Sequence, residues 1–476
     1  MESFYWHDYE TWGVNPSEDM PSQFAGVRTD QDFNILGEPL NIYCKPALDT
    51  LPRVAACMIT GITPSHAEAQ GLAERDFFSA IHSQLAQAGT CGVGYNSIRF
   101  DDEVTRYGLY RNFYDPYARE WQHGNTRWDI IDMVRLCYAV RPDDFIWPTR
   151  DDGVVSFRLE ELTAANGLSH EAAHDALSDV YATINLARLI KQRQPKLFAH
   201  VFGLRHKQAA QQALELGSCK PKFHISSRFG SENACGSLIL PVAENPSNKN
   251  EVMCVDLRYS PQSLLDCSAQ QLNDLLFTKL SDLPPGIDRI PLKSVHINRS
   301  PVVLSPGLID ETVASRLNLN LKQCEQHRQQ LLAYKPLAQK LRSMMTLKKF
   351  DDADKAAEAK LYGGFIPNED KVALREIVPL NGSELAAQSF SFKDERLPEM
   401  LFRYRARNFP SSLNPTEEQE WLEYCRDKLL KPESQPLESE LEEVSQLIAG
   451  AESGHSKELL VSFRDYLLEK YRLLGA

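Results

Sequence analysis

The chain has 476 residues, 42% of them hydrophobic, and a formal net charge of −13. That length predicts roughly two to four domains, and no apolar run approaches the about 18 residues of a membrane helix. The acidic total argues against coating of nucleic acid by the whole surface, yet leaves room for a local basic channel.

Ten cysteines are scattered without a Cys-x-x-Cys pair. Neither a zinc framework nor a disulfide scaffold is indicated, and a reducing cytoplasm is the expected compartment. The Met1-Glu-Ser-Phe start carries no basic-then-apolar leader.

The run Phe4-Tyr-Trp-His-Asp8-Tyr-Glu10-Thr-Trp12 opens with a strand over 4–10, and a period of two places Asp8 and Glu10 on one face. Paired carboxylates held out of water are costly unless something positive neutralises them; hard oxygen ligands of this kind suit Mg²⁺ or Mn²⁺. A strand edge with two solvated acids is the plainer alternative. Residues 26–29 and 41–44 read as further strands of a meander. Residues 66–85 have helical spacing, 90–95 form a short apolar strand, and 102–113 read as an aromatic-rich helix with Asp101 at its entry. Two more helices follow at 157–166 and 172–192. Together, residues 1–195 predict an α/β domain with a mixed sheet.

Pro195 closes that pattern. Short β-like runs such as Ser237-Leu-Ile-Leu-Pro241, Val252-Met-Cys-Val-Asp256 and Val295-His-Ile-Asn298, with a turn-like cluster at 245–250, predict a small β-rich domain with flanking helices over 196–350. Residues 196–230 carry Lys196, Arg205, Lys207, Lys220, Lys222 and Arg228 against the single acid Glu215, either a solvated face or part of a basic channel. From 351 to 476 the chain reads as helices, at 371–377, 398–408, 415–430, 438–449 and 456–474.

Two further acids join the first pair. Asp101 sits where a strand gives way to a helix, a position that N-cap aspartates also favour. The run His174-Asp-Ala-Leu-Ser-Asp179 places His174 at a helix start and Asp179 over a turn further on, although a surface pair would have the same spacing. The ordered set Asp-x-Glu, Asp, His-x₄-Asp is far more specific than any member. Four carboxylates suit two divalent ions about 3.5–4 Å apart, an arrangement for in-line phosphoryl transfer in which one ion activates a water and the other stabilises the leaving 3′ oxygen. His174, with an unperturbed pKa of about 6.5, suits removal of the water's proton near neutral pH.

This pattern resembles the DEDD exonuclease superfamily in its histidine subclass. The runs His7-Asp-Tyr-Glu-Thr11, Tyr95-Asn-Ser-Ile-Arg-Phe-Asp-Asp-Glu-Val-Thr-Arg106, Arg111-Asn-Phe-Tyr-Asp-Pro-Tyr117, Ser156-Phe-Arg-Leu-Glu160 and Arg405-Ala-Arg-Asn-Phe-Pro410 resemble the bacterial exonuclease I family over nearly the whole chain. The resemblance implies an RNase H-like exonuclease domain at 1–195, an SH3-like β domain at 196–350 and a helical C-terminal domain at 351–476, forming a C-shaped body with a groove for single-stranded DNA. It implies processive, Mg²⁺-dependent 3′→5′ degradation of single-stranded DNA to 5′-mononucleotides, with Mn²⁺ as a possible substitute and a role in DNA repair and recombination. By position, Asp8, Glu10, Asp101 and Asp179 become the acids of a two-ion site and His174 the base. Glu10 and Arg158 would contact the substrate, Arg158 by holding a phosphate; a helix-end surface arginine is the alternative.

Single strands are held by cations on phosphates and aromatic faces under bases. Residues 106–135 combine both in Arg106, Arg111, Tyr114, Tyr117, Trp121, Arg127, Trp128 and Arg135, but an aromatic core helix with snorkelling arginines would look the same. The resemblance favours Arg106, Tyr117, Trp121 and Arg135 as groove residues, with Lys207, Asn250, Lys293 and His296 reaching phosphates from the middle domain. Tyr362 and Phe365, in Leu-Tyr-Gly-Gly-Phe, would close the groove, or simply pack a linker.

A DEDD exoribonuclease like RNase T is the nearest alternative, opposed by the long region after Pro195. A non-catalytic single-strand-binding scaffold is another, opposed by the intact acids and histidine. No Walker A run is present, and no nucleotide cofactor is expected. Family membership would also imply a monomer, no membrane association, and a partner in the acidic, hydrophobic C-terminal tail of single-stranded DNA-binding protein, received by basic residues within 196–222 or 335–349.

Overall fold

A computed structural model describes residues 2–168, 175–279, 282–283, 289–347, 355–431, 436–451 and 454–475. The chain forms two compact units: Met1–Thr126 with His170–Tyr181 and Asp352–Ala476, and Arg127–Ser169 with Ala182–Asp351.

In the first unit, β1 (Ser3–Thr11) pairs antiparallel with β2 (Pro21–Thr29), which pairs antiparallel with β3 (Leu40–Tyr43). On its other edge β1 runs parallel to β4 (Thr90–Gly94), so the sheet is mixed, as expected. Strand β2 begins earlier than residue 26 because Pro21, which has no N–H, is tolerated as a first strand residue.

Helices α1 (Val54–Thr60), α2 (Pro64–Gln70) and α3 (Glu74–Leu85) precede β4. One continuous helix over 66–85 is therefore incorrect. The chain breaks at Gly71, where a Cβ would lie 2.3 Å from the Ala67 carbonyl oxygen. Leu72 then pairs with the β3 end instead: its N–H donates to Tyr43 O at 2.9 Å, and Lys45 N–H donates back to Leu72 O at 2.9 Å. Helix α4 (Asp101–Arg111) packs on α3, and Gly108 permits it, since a Cβ there would sit 1.9 Å from the Phe78 ring. Tyr5, Tyr9, Phe24, Phe77, Phe78, Ile81 and Val104 fill the space between sheet and helices.

Five C-terminal helices of this unit match their expected positions within two residues: Asp370–Ile377, Arg396–Asn408, Pro415–Leu429, Pro436–Gly450 and His455–Leu473. A short helix at Gly382–Ala387, opened by an Asn381–Glu384 capping box, was not expected. They share a core with the N-terminal part, in which Trp12, Met20, Val54 and Cys57 meet Trp421, Cys425, Leu460, Phe463 and Leu467. A buried ion network joins the same regions. Asp49 accepts from Arg407 at 3.1 and 2.9 Å and from Lys428 at 2.9 Å, and Arg407 also reaches Glu358 at 2.9 Å. These cations outweigh burial and hold the Asp49 carboxyl well below the usual carboxylate range.

The chain leaves the first unit through β5 (Thr126–Asp129) and continues into α5 (Ile131–Val140), α6 (Leu159–Ala165), α7 (Ala176–Arg193), α8 (Pro195–Gly203) and α9 (Lys207–Leu214). The first turn of α7 belongs to the first unit. In the second unit, β6 (Lys222–Ile225), β7 (Gly236–Asn245), β8 (Asn248–Asp256), β9 (Leu292–His296) and β10 (Val302–Leu304) form an antiparallel sheet in the order β10-β6-β7-β8-β9. The β7–β8 turn falls at Pro246–Ser247, inside the turn-like cluster at 245–250, whose flanking residues belong to the two strands. Phe229, Ile239, Val252, Cys254, Val295 and Val303 form its core against Ala210 and Leu214 of α9. No helix among the described residues is long and apolar enough to cross a membrane.

Candidate active site

Alternation along β1 buries Tyr9 against Phe24 and leaves Asp8 and Glu10 half-buried on the opposite face. The first turn of α7 brings Asp179 to the same place. Ligand oxygens of Asp8, Glu10 and Asp179 lie within 4.8 Å of one another. Asp101, buried at the start of α4, stands beside them, and its Oδ1 accepts the Tyr9 backbone N–H at 3.1 Å. The Thr105 hydroxyl donates to the Asp101 carbonyl at 2.8 Å and lies 3.0 Å from the Tyr9 hydroxyl. Asp101 is the first helical residue, with Phe100 at the N-cap, so its carboxylate is not spent on capping.

The electrostatics follow from burial and crowding together. Burial, then Asp101, Glu10 and Asp179, push the Asp8 carboxyl well above its ordinary range. Burial, then Asp179, Asp101 and Asp175, push Glu10 up to about 8. Without a cation the group therefore holds protons that isolated carboxylates would release at neutral pH. Carboxylate oxygens gathered this closely fit a hard divalent cation.

His7 belongs to the core and not to this site. Its ring is buried on the other side of the sheet, near the buried Asp102–Arg119 pair at 2.6 Å, and burial lowers its pKa to about 4. His174, expected as the base, lies outside the described residues. Asp175, which sequence reasoning passed over, caps α7: its Oδ2 accepts the Ser178 N–H at 3.1 Å. An acid immediately before a helical run was the available signal.

Arg158 lies in the second unit just before α6. Its side chain is 72% exposed and 3.7 Å from Glu161, so its guanidinium remains open to solvent. Arg106 is different. It is buried, donating to Glu120 at 2.7 and 2.8 Å, to Glu103 at 2.7 Å and to the Tyr362 hydroxyl at 3.0 Å, with the Tyr117 ring 5.4 Å away. The structure thus gathers Arg106, Tyr117 and Tyr362 around two glutamates. Trp121 and Phe365 are exposed, Phe365 by 90%.

In the second unit, Arg135 donates to Asp132 at 2.6 Å and faces the Phe157 ring. Lys207 is exposed at the start of α9. Asn250, Lys293 and His296 come together on β8 and β9, where the Asn250 carbonyl accepts the Ile297 N–H at 2.8 Å and His296 pairs across the strands with Glu251. Burial and then Arg299 lower the His296 pKa to about 4. Among the basic stretches, Lys222 pairs with Glu215, and Lys340 donates to the carbonyls of Leu264, Leu265 and Cys267.

Three family models match the chain: "Exonuclease" over residues 5–187, "Exonuclease I SH3-like domain" over 205–346 and "Exonuclease I C-terminal domain" over 355–470. Exodeoxyribonuclease I of Escherichia coli K12 is 43% identical over 427 residues, 90% of each chain. That of Haemophilus influenzae is 42% identical over 430 residues, 90% of this chain and 91% of its own. Among solved structures, a moderately thermophilic exonuclease I from Methylocaldum szegediense superposes with a TM-score of 0.93 at 44% identity, covering 99% of this chain and 100% of the other. E. coli exonuclease I in complex with a dA16 oligonucleotide gives 0.94 at 41% identity, and the zinc-bound form of its complex with single-stranded DNA gives 0.93 at 41%, each over 99% of this chain and 100% of the other.

Proposed function

The chain belongs to the exonuclease I family, and on that premise we propose that it degrades single-stranded DNA from the 3′ end, processively, to 5′-mononucleotides. The observation that carries this reading is the convergence of Asp8, Glu10 and Asp179, with ligand oxygens within 4.8 Å, in a chain whose relatives include a structure holding a dA16 oligonucleotide. The exonuclease domain is assigned to 1–195, the SH3-like domain to 196–350 and the helical domain to 351–476.

Asp8, Glu10 and Asp179, with Asp101 beside them, would hold the divalent ions, two Mg²⁺ in our reading. Bound magnesium supplies positive charge that acidifies water and stabilises oxygen anions. The chain's own groups do the rest. Tyr9 and Thr105 fix the Asp101 carboxylate and the start of α4. Arg158, free to turn in solvent, takes a phosphate of the terminal nucleotide. His174 takes the proton of the attacking water. Trp121 and Phe365 offer exposed faces on which bases stack, and Tyr117 and Tyr362 present rings steadied by Arg106 and Glu103. Lys207, Asn250, Lys293, His296 and Arg135, all of the second unit, would contact the strand as well.

The same reading gives a cytoplasmic monomer that acts in DNA repair and recombination and binds the C-terminal tail of single-stranded DNA-binding protein. The exposed Lys207 and Lys220 are better candidates for that tail than Lys222 or Lys340, which are already engaged. Initial rates on DNA and RNA strands of one sequence, with Mg²⁺ and with EDTA, test the activity. Mg²⁺-dependent nucleotide release favouring DNA is expected; equal or faster release from RNA overturns the substrate assignment.

A further inference from the structure

Gln23 is a buried polar residue, 1% exposed, in the middle of β2. The antiparallel register sets it directly opposite Glu10, so its side chain shares the face of Asp8 and Glu10. Every polar position of its amide is used. Nε2 donates to Asn41 Oδ1 on β3 at 3.0 Å and to Asp175 Oδ1 at 3.0 Å. Oε1 accepts the Ala176 N–H at 3.4 Å.

Those last two partners are the opening of α7. Asp175 caps the helix through Ser178 N–H at 3.1 Å, and its carbonyl accepts the Asp179 N–H at 3.0 Å. A short chain of bonds therefore runs from Glu10's strand neighbour to the residue one turn before Asp179. We propose that Gln23 is a positioning residue, which ties the first turn of α7 to the sheet and so sets where Asp179 stands relative to Asp8 and Glu10.

The residue type suits the task. A carboxylate at 23 would repel Asp175 and Glu10, and a cation would compete with any metal for the same acids. A neutral amide can donate to Asp175 and accept from the helix N-terminus at once. The inference rests on the reading of these carboxylates as a metal centre, and outer-shell partners of metal ligands typically govern affinity by about 10–100-fold.

The test is Mn²⁺ binding by the full-length protein, followed by electron paramagnetic resonance, with melting monitored in parallel. Gln23→Met keeps length and removes the hydrogen bonds. Asp175→Ser keeps a capping oxygen for α7 but is too short to reach Gln23. Each is expected to weaken Mn²⁺ binding by about tenfold or more, with turnover restored by raising Mn²⁺ and KM for single-stranded DNA unchanged. The double variant is expected to lose no more than the weaker-binding single, because both break one link. If Gln23→Met does not fold, Asp175→Ser decides. Unaltered Mn²⁺ affinity in either folded variant overturns the positioning role. Failure of the parent protein to bind Mn²⁺ would overturn the metal-centre reading itself.

Discussion

Tyr9 donates its backbone N–H to the Asp101 carboxylate at 3.1 Å. The residue between the two acids of β1 thus holds the acid that opens α4, and two distant segments of chain are locked into one carboxylate group. The price is burial joined to like-charge crowding, which together raise the pKa values of Asp8 and Glu10.

Relief of that crowding should be measurable without any substrate. Asp8→Asn removes one like charge, and the metal-free variant should melt above the parent in differential scanning calorimetry with EDTA. Magnesium should raise the parent's melting temperature more than the variant's.

The pH dependence has a definite sign. Burial, then Asp179, Asp101 and Asp175, raise Glu10 from 4.5 to about 8 in the folded chain. The folded state holds that proton more tightly than the unfolded one. Its contribution is fully present below about pH 4.5 and is lost as pH rises through about 8. Metal-free melting temperatures should therefore fall across this window, and Mg²⁺ should flatten the fall because it replaces the proton. Calorimetric titration in buffers of different ionisation enthalpy should detect proton release on Mg²⁺ binding near pH 7.

Arg106 and Trp121 should part company. Arg106→Ala takes the near cation from Glu103 and Glu120, only 15% and 10% exposed, leaving Glu120 the more distant Arg119 at 3.8 Å, and should cost about 3–5 kcal/mol of stability. Trp121, 65% exposed, should be replaceable by Ala with little change in melting but a loss of about 1–3 kcal/mol in single-strand affinity. Urea denaturation and fluorescence anisotropy with a labelled oligonucleotide measure the two effects.

Asp49→Ala removes the anion shared by Arg407 and Lys428, leaving Arg407 only Glu358, and breaks contacts that join the N-terminal part of the first unit to its C-terminal helices. A loss of about 3–5 kcal/mol is expected. Hydrogen exchange should show it first in Arg396–Asn408 and Pro415–Leu429.

Much of this was legible beforehand because it depends on short-range rules. The alternation of Asp8, Tyr9 and Glu10 describes the observed strand. Pro415–Leu429 announces itself through Asn414, Pro415 and Glu417, and the structure forms that capping box. What escaped depends on distant partners. Strands β6 and β10 are too short to stand out, and they form because each completes the other's ladder. Gly71 ends α2 because Leu72 is claimed by Tyr43 and Lys45. Arg106 resembles a DNA contact in sequence, while Glu120 and Tyr362 occupy its donors in the fold. Gln23 carries no local signal, since its partner Asp175 lies far along the chain.

The central claim is that the carboxylates of Asp8, Glu10, Asp101 and Asp179 hold metal ions that serve removal of nucleotides from a DNA 3′ end. Its most direct test is digestion of single strands labelled at the 3′ or the 5′ end by the parent protein and by Asp8→Ala, each with Mg²⁺. The parent should release 3′ label as mononucleotide from the outset and 5′ label only as strands are finished. The variant should be slower by about a thousandfold or more, as loss of several kcal/mol of charge stabilisation requires. Early mononucleotide from the 5′ label, or undiminished release by folded Asp8→Ala, would contradict it.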